Sequence, residues 1–148
     1  MTAQISGLIE GEPNLIANLA NISALLNLEL DDINWVGFYL LEGDELVLGP
    51  FQGSPACIRI PLGRGVCGTA ASTGEVQRID DVHAFAGHIA CDARSNSEIV
   101  IPFMIDGKLA GVLDIDSPSL ARFRENDEIG LTKLMKQVEK LLQTQQKA

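Results

Sequence analysis

The residues best suited to chemistry fall in one stretch of the chain, from His88 to Pro102. The stretch begins as a polar loop that contains Cys91 and then becomes an apolar run typical of a buried strand. Both histidines of the chain, His83 and His88, lie close to this cysteine in the sequence. Loops held by a rigid scaffold carry a large share of protein chemistry. This stretch is therefore the first candidate for a reactive site.

Three cysteines, Cys57, Cys67 and Cys91, leave several interpretations open. Neither C-x-x-C nor H-x-x-x-H spacing occurs, so the spacing disfavours zinc and we predict no metal. Buried inert thiols are common in proteins, but Cys91 fits this poorly because it lies in a polar loop between His88 and Arg94. Nearby positive charge favours the thiolate, which is the nucleophilic form. Either of the other two cysteines could then act as a resolving thiol, whereas acyl transfer is disfavoured because neither histidine has an obvious orienting partner.

Two aspartates form the second unusual feature. Asp114 and Asp116 occupy positions i and i+2 of a predicted strand, on one face, although aspartate is depleted in strands. Like charges this close repel each other, and burial would raise the pKa of both carboxyl groups. A bound cation would relieve both penalties. The alternative is that Asp116 only caps the end of the strand.

Whether Glu98 joins these aspartates depends on the turn of the predicted hairpin. A two-residue turn at Asp106-Gly107 would pair Ile99 with Asp114 and leave Glu98 on the opposite face. A three-residue turn with a G1 bulge would instead place Glu98 opposite Asp114. We predict the bulged turn, which gathers three carboxylates around one point.

Aromatic side chains mark one face of the predicted strand Asn34–Leu41. Side chains alternate along a strand, so Trp35, Gly37 and Tyr39 share a face. The glycine would leave a notch in which a ligand could approach the backbone. The alternative is that the two aromatic residues only belong to the core.

Composition narrows the classes of function. A net charge of −9 argues against nucleic acid and against an anionic membrane surface. No apolar run approaches the roughly 18 residues that span a membrane, and the N-terminus lacks the pattern of a signal peptide. We expect a single cytoplasmic domain over residues 1–148.

The periodicity of apolar residues predicts an α+β fold with about six mostly antiparallel strands and helices on both sides of the sheet. The predicted helices are Ala3–Glu10, Pro13–Asn27, Cys67–Ser72 and Glu125–Gln143. The predicted strands are Asn34–Leu41, Glu45–Leu48, Cys57–Pro61, Val76–Ile79, Glu98–Ile105 and Lys108–Ile115. The segment Gly63–Gly68 matches G-x-G-x-x-G, but Gly74 stops the following helix and no full βαβ unit follows. We therefore interpret it as a turn that brings backbone close to a pocket.

Taken together, these segments closely resemble the free methionine-R-sulfoxide reductases, which have a GAF-type fold. The resemblance runs from about Leu8 into the last helix, and the spacing of the three cysteines is specific to this group rather than to GAF domains in general. The segments that carry it are Asn34–Tyr39, Gly49–Cys57, Gly65–Gly68, His88–Cys91, Ser97–Val100 and Gly111–Asp116.

The resemblance implies that Cys91 attacks the sulfoxide sulfur and becomes a sulfenic acid as methionine leaves. A second cysteine, Cys57, then condenses with it to a disulfide. Cys67 looks auxiliary, as an alternative resolving thiol or a pocket residue. The resemblance implies no bound cofactor, and thioredoxin, recycled by its reductase and NADPH, as the reductant.

In such a site Glu98 or Asp114 would protonate or polarise the sulfoxide oxygen, and Asp116 would hold the substrate ammonium. The aromatic residues would surround the S-methyl group, and backbone N–H groups leading into Cys91 would bind the substrate carboxylate. We expect the substrate-binding residues to be Trp35, Tyr39, Ala90, Glu98, Asp114 and Asp116. The main alternative is a GAF module that senses a small ligand without turnover, which a stand-alone chain with these three cysteines disfavours. A homodimer is compatible with the sequence.

Overall fold

The computed structural model describes residues 2–88 and 94–147. The helices are α1 (Thr2–Ile9), α2 (Leu15–Glu29), α3 (Gly65–Thr73) and α4 (Glu125–Lys147). The strands are β1 (Trp35–Glu42), β2 (Glu45–Gly53), β3 (Arg59–Pro61), β4 (Gln77–Ile79), β5 (Ser97–Ile105) and β6 (Lys108–Ser117). They form one six-stranded sheet in the order β3-β2-β1-β6-β5-β4, with antiparallel pairing throughout. The predicted α+β class and strand number are confirmed.

Each face of the sheet packs against a separate apolar core. Val36 and Phe38 of β1 point into the larger core, which also contains the buried residues of α1, α2 and α4. Trp35 and Tyr39 point into the smaller core, which α3 covers. Helices thus lie on both sides of the sheet, and the predicted division of β1 into two faces is confirmed. The site must lie on the α3 side, because the chemically distinctive residues of β1 face that way.

Two boundary predictions were wrong for local reasons. Helix α2 begins after Pro13, because Asn14 is the N-cap and its Oδ1 accepts a hydrogen bond of 2.9 Å from the Ala17 N–H. Strand β2 continues to Gly53 instead of ending at Leu48. The pairing of β1 with β2 has a bulge opposite Phe38. Pro50, which has no N–H to donate, lies in this bulge, so the strand can continue past it without losing a ladder hydrogen bond.

The last helix begins at Glu125 as predicted and continues past the predicted end at Gln143 to Lys147. The periodicity of this helix predicts a buried Ile129, but Ile129 is exposed, whereas Leu131 is buried. Among the described residues, no helix combines the length and apolarity that crossing a bilayer would require.

The hairpin of β5 and β6 has a two-residue turn, so the predicted three-residue turn is wrong. Ile105 pairs with Lys108, and Asp106 and Gly107 both have positive φ, at 54° and 75°. A type I′ turn requires this pair of conformations, and Asp-Gly adopts them readily. A bulge lies instead inside β6, where Phe103 pairs with Gly111 while Met104 pairs with Leu109.

This internal bulge sets the position of the carboxylates. It shifts the register so that Glu98 pairs with Asp116, and Val100 with Asp114. Directly opposed residues share a face of the sheet, so all three carboxylates point toward α3. The predicted gathering of acids occurs, but Glu98 stands opposite Asp116 rather than opposite Asp114.

Candidate active site

A cavity opens between the sheet and the N-terminus of α3. Its empty volume is about 500 Å³ when the open space at its mouth is included. The predicted site residues that line it are Trp35, Tyr39, Cys67, Glu98, Asp114 and Asp116. Ala90 and Cys91 lie outside the described residues, and their roles stay predictions.

The aromatic residues of β1 form one fixed wall of the cavity. The rings of Trp35 and Tyr39 stack with centroids 5.9 Å apart and planes inclined by 22°. Trp35 Nε1 donates to the Ser54 carbonyl at 3.1 Å, and the Tyr39 hydroxyl donates to the Cys57 carbonyl at 2.9 Å. Both polar atoms are thus used to hold the segment 54–57 against the wall. The ring surfaces remain available to an apolar group.

The expected notch beside Gly37 does not exist, because the protein itself fills it. A Cβ atom at Gly37 would collide with the Cβ of Phe51 on the neighbouring strand. The Phe51 ring continues the aromatic stack, with its centroid 5.1 Å from that of Trp35. Glycine is needed here for close packing of β1 against β2 and makes no room for a ligand.

The three carboxylates are almost fully buried. Glu98 and Asp114 are each 6% exposed and Asp116 is 9% exposed. Burial raises the pKa of Glu98 and of Asp114 well above the usual range, and the adjacent carboxylate raises each pKa further. Asp114 Oδ1 accepts no hydrogen bond from any described residue. The cluster therefore favours a proton, a cation or a hydrogen-bond donor.

The two described cysteines differ in state. Cys57 is half-buried and disulfide-bonded. Cys67 is a free, buried thiol whose Sγ lies 3.9 Å from Glu98 Oε2. Burial and the charge of Asp114 raise the pKa of the Cys67 thiol. Because thiolate is the reactive form, Cys67 is poorly suited to be a nucleophile.

Several residues at the cavity were not singled out from the sequence. Arg64 and Ser95 both line it, and the Ser95 hydroxyl accepts a hydrogen bond of 3.1 Å from Asn34 Nδ2. The only sequence signal for them was their position, in the glycine-rich turn and just after the Cys91 loop. His88 also lines the cavity, and its ring centroid is 6.3 Å from that of His83. Burial, followed by the nearby His83, lowers the pKa of His88.

The glycine-rich turn has the predicted role. Gly65 and Val66, at the start of α3, line the cavity. The Gly68 position has no room for a side chain, because a Cβ atom there would lie 2.6 Å from the Pro61 carbonyl oxygen. The turn therefore brings backbone to the pocket without forming a dinucleotide site.

Replacing Asp114 with asparagine is expected to stabilise the fold at neutral pH. The pKa of Asp114 is raised in the folded protein, so the protonated carboxyl group favours folding. This contribution to the free energy of unfolding is fully present below the carboxyl pKa of the unfolded chain, about 4. It is lost as the pH rises through the pKa of Asp114 in the folded protein. Asparagine cannot ionise, so the variant should gain ~1–3 kcal/mol at neutral pH and lose less stability between pH 5 and pH 8. Urea unfolding of both proteins at the two pH values tests this. An equal decline in both would contradict it.

Comparisons with known proteins agree with this fold. The GAF domain family matches residues 19–143. The free methionine-R-sulfoxide reductase of Escherichia coli is 59% identical over 144 residues, which is 97% of this chain and 87% of the relative. The fRMsr of Staphylococcus aureus in complex with substrate is 58% identical, with a TM-score of 0.91 over 95% of this chain and 92% of that one.

A third protein is similar over nearly the whole chain. The free methionine-R-sulfoxide reductase of Neisseria meningitidis in complex with its substrate is 47% identical, with a TM-score of 0.92, covering 99% of this chain and 87% of that one. The curled antiparallel sheet and its helices define a GAF-domain protein. Within the GAF-domain family, the chain belongs to the free methionine-R-sulfoxide reductases.

Proposed function

We propose that this protein reduces free L-methionine-R-sulfoxide to methionine by thiol chemistry. The observation that carries the proposal is a buried set of three carboxylates that line the same cavity as an aromatic wall. The relatives named above as free methionine-R-sulfoxide reductases support the choice of substrate. In this proposal residues 1–148 act as one GAF-like catalytic domain.

The cavity offers each part of a free amino acid a matching surface. The ammonium group supplies the positive charge that the acidic cluster lacks, and Asp116 is assigned to hold it. The methyl group on sulfur packs against the rings of Trp35 and Tyr39, whose polar atoms are already bonded elsewhere. Backbone N–H groups leading into Cys91, Ala90 among them, bind the carboxylate. This division explains why a free amino acid, and not a residue within a peptide, is the substrate.

A protonated carboxyl group assists the chemical step. The sulfoxide oxygen gains negative charge as its sulfur is attacked, so a proton donor beside it lowers the barrier. The raised pKa of Glu98 and of Asp114 favours a retained proton at neutral pH. One of these two carboxyl groups acts as the acid. The other carboxyl group shares the retained proton with it by a hydrogen bond within the cluster.

The thiols supply the electrons. The Cys91 thiolate attacks the sulfoxide sulfur, the oxygen passes to Cys91 as a sulfenic acid, and methionine leaves. The Cys57 thiol then attacks that sulfur, which releases water and forms a disulfide. The disulfide-bonded state of Cys57 and the buried, protonated state of Cys67 support Cys57 as the resolving residue.

Thioredoxin, kept reduced by its reductase and NADPH, restores the dithiol. Cys57 is only half-buried, and access of an external dithiol to its disulfide is part of this proposal. A cytoplasmic location is part of this proposal, because reducing thiol systems operate there.

NADPH consumption in the presence of thioredoxin and thioredoxin reductase tests the proposal. We expect consumption with the R epimer of free methionine sulfoxide and none with the S epimer. N-acetylmethionine sulfoxide is a sharp control, because acetylation removes the positive charge that the carboxylates bind. Equal rates for the free and the acetylated R epimers would contradict the assigned recognition.

Asp116→Asn is expected to weaken substrate binding more than it slows the chemical step. Loss of a charge-assisted hydrogen bond costs ~1.5–3 kcal/mol, so KM should rise about 10- to 100-fold with a smaller change in kcat. Steady-state kinetics with the R epimer measure both constants. An unchanged KM in Asp116→Asn together with a large rise in Asp114→Asn would reverse the assigned roles of the two aspartates.

A further inference from the structure

A thiol and two carboxylates meet at the base of the cavity with the spacing of metal ligands. The Cys67 sulfur and one oxygen each of Glu98 and Asp114 lie within 4.8 Å of one another, and all three residues are buried. Bonds of about 2.0–2.3 Å in a tetrahedral zinc site place neighbouring donor atoms roughly 3.3–3.5 Å apart. The distance of 3.9 Å from Cys67 Sγ to Glu98 Oε2 is close to that geometry. Small side-chain movements would therefore complete it.

The unsatisfied oxygen of Asp114 is an independent sign of a missing ligand. Asp114 is 94% buried, since only 6% of its surface is exposed, and it lines the cavity. Its Oδ1 has no hydrogen-bond donor among the described residues. Buried carboxylate oxygens in proteins normally accept a hydrogen bond or bind a cation, so an oxygen without either indicates a donor or a cation that the chain itself does not supply.

We propose that Cys67, Glu98 and Asp114 bind a Zn²⁺ ion, with Asp116 or a water molecule as the fourth ligand. Mixed sulfur and carboxylate donors suit zinc, which accepts both kinds of ligand. The Cys67 thiol binds as thiolate and releases its proton to the buffer. No electron is transferred, so the step is reversible.

Zinc bound here would occupy Glu98 and Asp114, which are assigned above to the sulfoxide oxygen, and would lie beside Asp116, which is assigned to the substrate ammonium. Metal and free methionine sulfoxide therefore exclude each other, and zinc is a reversible inhibitor. This consequence rests on the proposed function, whereas the binding of the metal does not.

Metal binding can be measured in a protein that cannot turn over. The double variant Cys57→Ser/Cys91→Ser retains Cys67 as its sole thiol. Titration with Co²⁺, as a spectroscopic substitute for zinc, should give a thiolate-to-cobalt charge-transfer band that saturates at one equivalent. Zn²⁺ should displace the cobalt. Further substitution with Cys67→Ala, or with Cys67→Ser as a second variant, should abolish the band.

Two carboxylate variants separate this site from surface binding. Asp114→Asn should weaken cobalt binding at least about tenfold, whereas Glu75→Gln, at an exposed carboxylate, should leave it unchanged. A missing band in the double variant, or cobalt binding that survives the loss of Cys67, would overturn the proposal. Because the double variant lacks both redox cysteines, either result leaves the proposed reductase activity untouched. In the wild-type protein, inhibition by zinc that is not competitive with methionine sulfoxide would refute mutual exclusion alone.

Discussion

Cys57→Ser is expected to end repeated turnover while leaving a single turnover intact. Without its resolving thiol, the protein should release about one methionine per chain and then stop as a sulfenic acid. Steady-state NADPH consumption with thioredoxin should fall by at least about 100-fold, because the disulfide that thioredoxin reduces cannot form without Cys57. Quantifying methionine by chromatography in the absence of reductant measures the single turnover.

Cys67→Ser is the matched control for this prediction. Its thiol is buried beside carboxylates, and the raised pKa of Cys67 keeps it protonated, so it should resolve the sulfenic acid slowly at best. We expect Cys67→Ser to keep most of the steady-state rate. If Cys67→Ser stopped turnover while Cys57→Ser did not, the resolving role would belong to Cys67.

Loss of the acid in the cavity is expected to have the second large effect. Glu98→Gln and Asp114→Asn each remove a group whose raised pKa favours a proton at neutral pH. Removing a general acid typically lowers the rate by ~10²–10⁴-fold, and we expect kcat for the R epimer to fall within this range for at least one of them. The wild-type kcat should also fall as pH rises through the pKa of the acid, and the variant that lacks it should lose this dependence.

Stability measurements distinguish this loss from misfolding. Asp114→Asn should be more stable than the wild type at neutral pH, so its low activity could not come from unfolding. The exposed Glu75→Gln substitution should change neither kcat nor its pH profile. Equal activity of Glu98→Gln, Asp114→Asn and the wild type across pH would exclude an acid role for both carboxylates.

The buried acids show a balance between stability and function. An unpaired carboxylate oxygen in the core lowers the free energy of unfolding, and a neutral side chain of the same shape would remove that cost. A ligand that brings a positive charge or a hydrogen-bond donor into the cluster supplies the missing partner. Such a local conflict between sequence and fold is expected where a site binds something absent from the chain itself.

Features that depend on local sequence could be predicted. The alternation of Trp35 and Tyr39 against Val36 and Phe38 determined the two faces of β1. Asp106-Gly107 located the hairpin turn, and aspartates in an apolar strand indicated a site.

Features that depend on contacts between distant segments could not be predicted. Both strands of the β5–β6 hairpin are apolar on both faces, so the pattern of side chains does not reveal their register. The bulge in β6, which pairs Glu98 with Asp116, could therefore not be predicted. Gly37 packs against Phe51 of β2, which lies beyond the predicted end of that strand at Leu48. Cys67 and Glu98 lie close together in the fold, but they are far apart in the sequence and do not have the spacing of a metal-binding motif.

Methionine release in the absence of any reductant tests the central claim most directly. Fully reduced wild-type protein mixed with the R epimer of free methionine sulfoxide should form about one methionine per chain, together with a disulfide between Cys57 and Cys91 that peptide mapping identifies. Cys91→Ser should form none while still binding the sulfoxide. Methionine formation by Cys91→Ser, or its absence with the wild type, would contradict the account. Binding without turnover by the wild type would indicate a ligand-sensing GAF module instead.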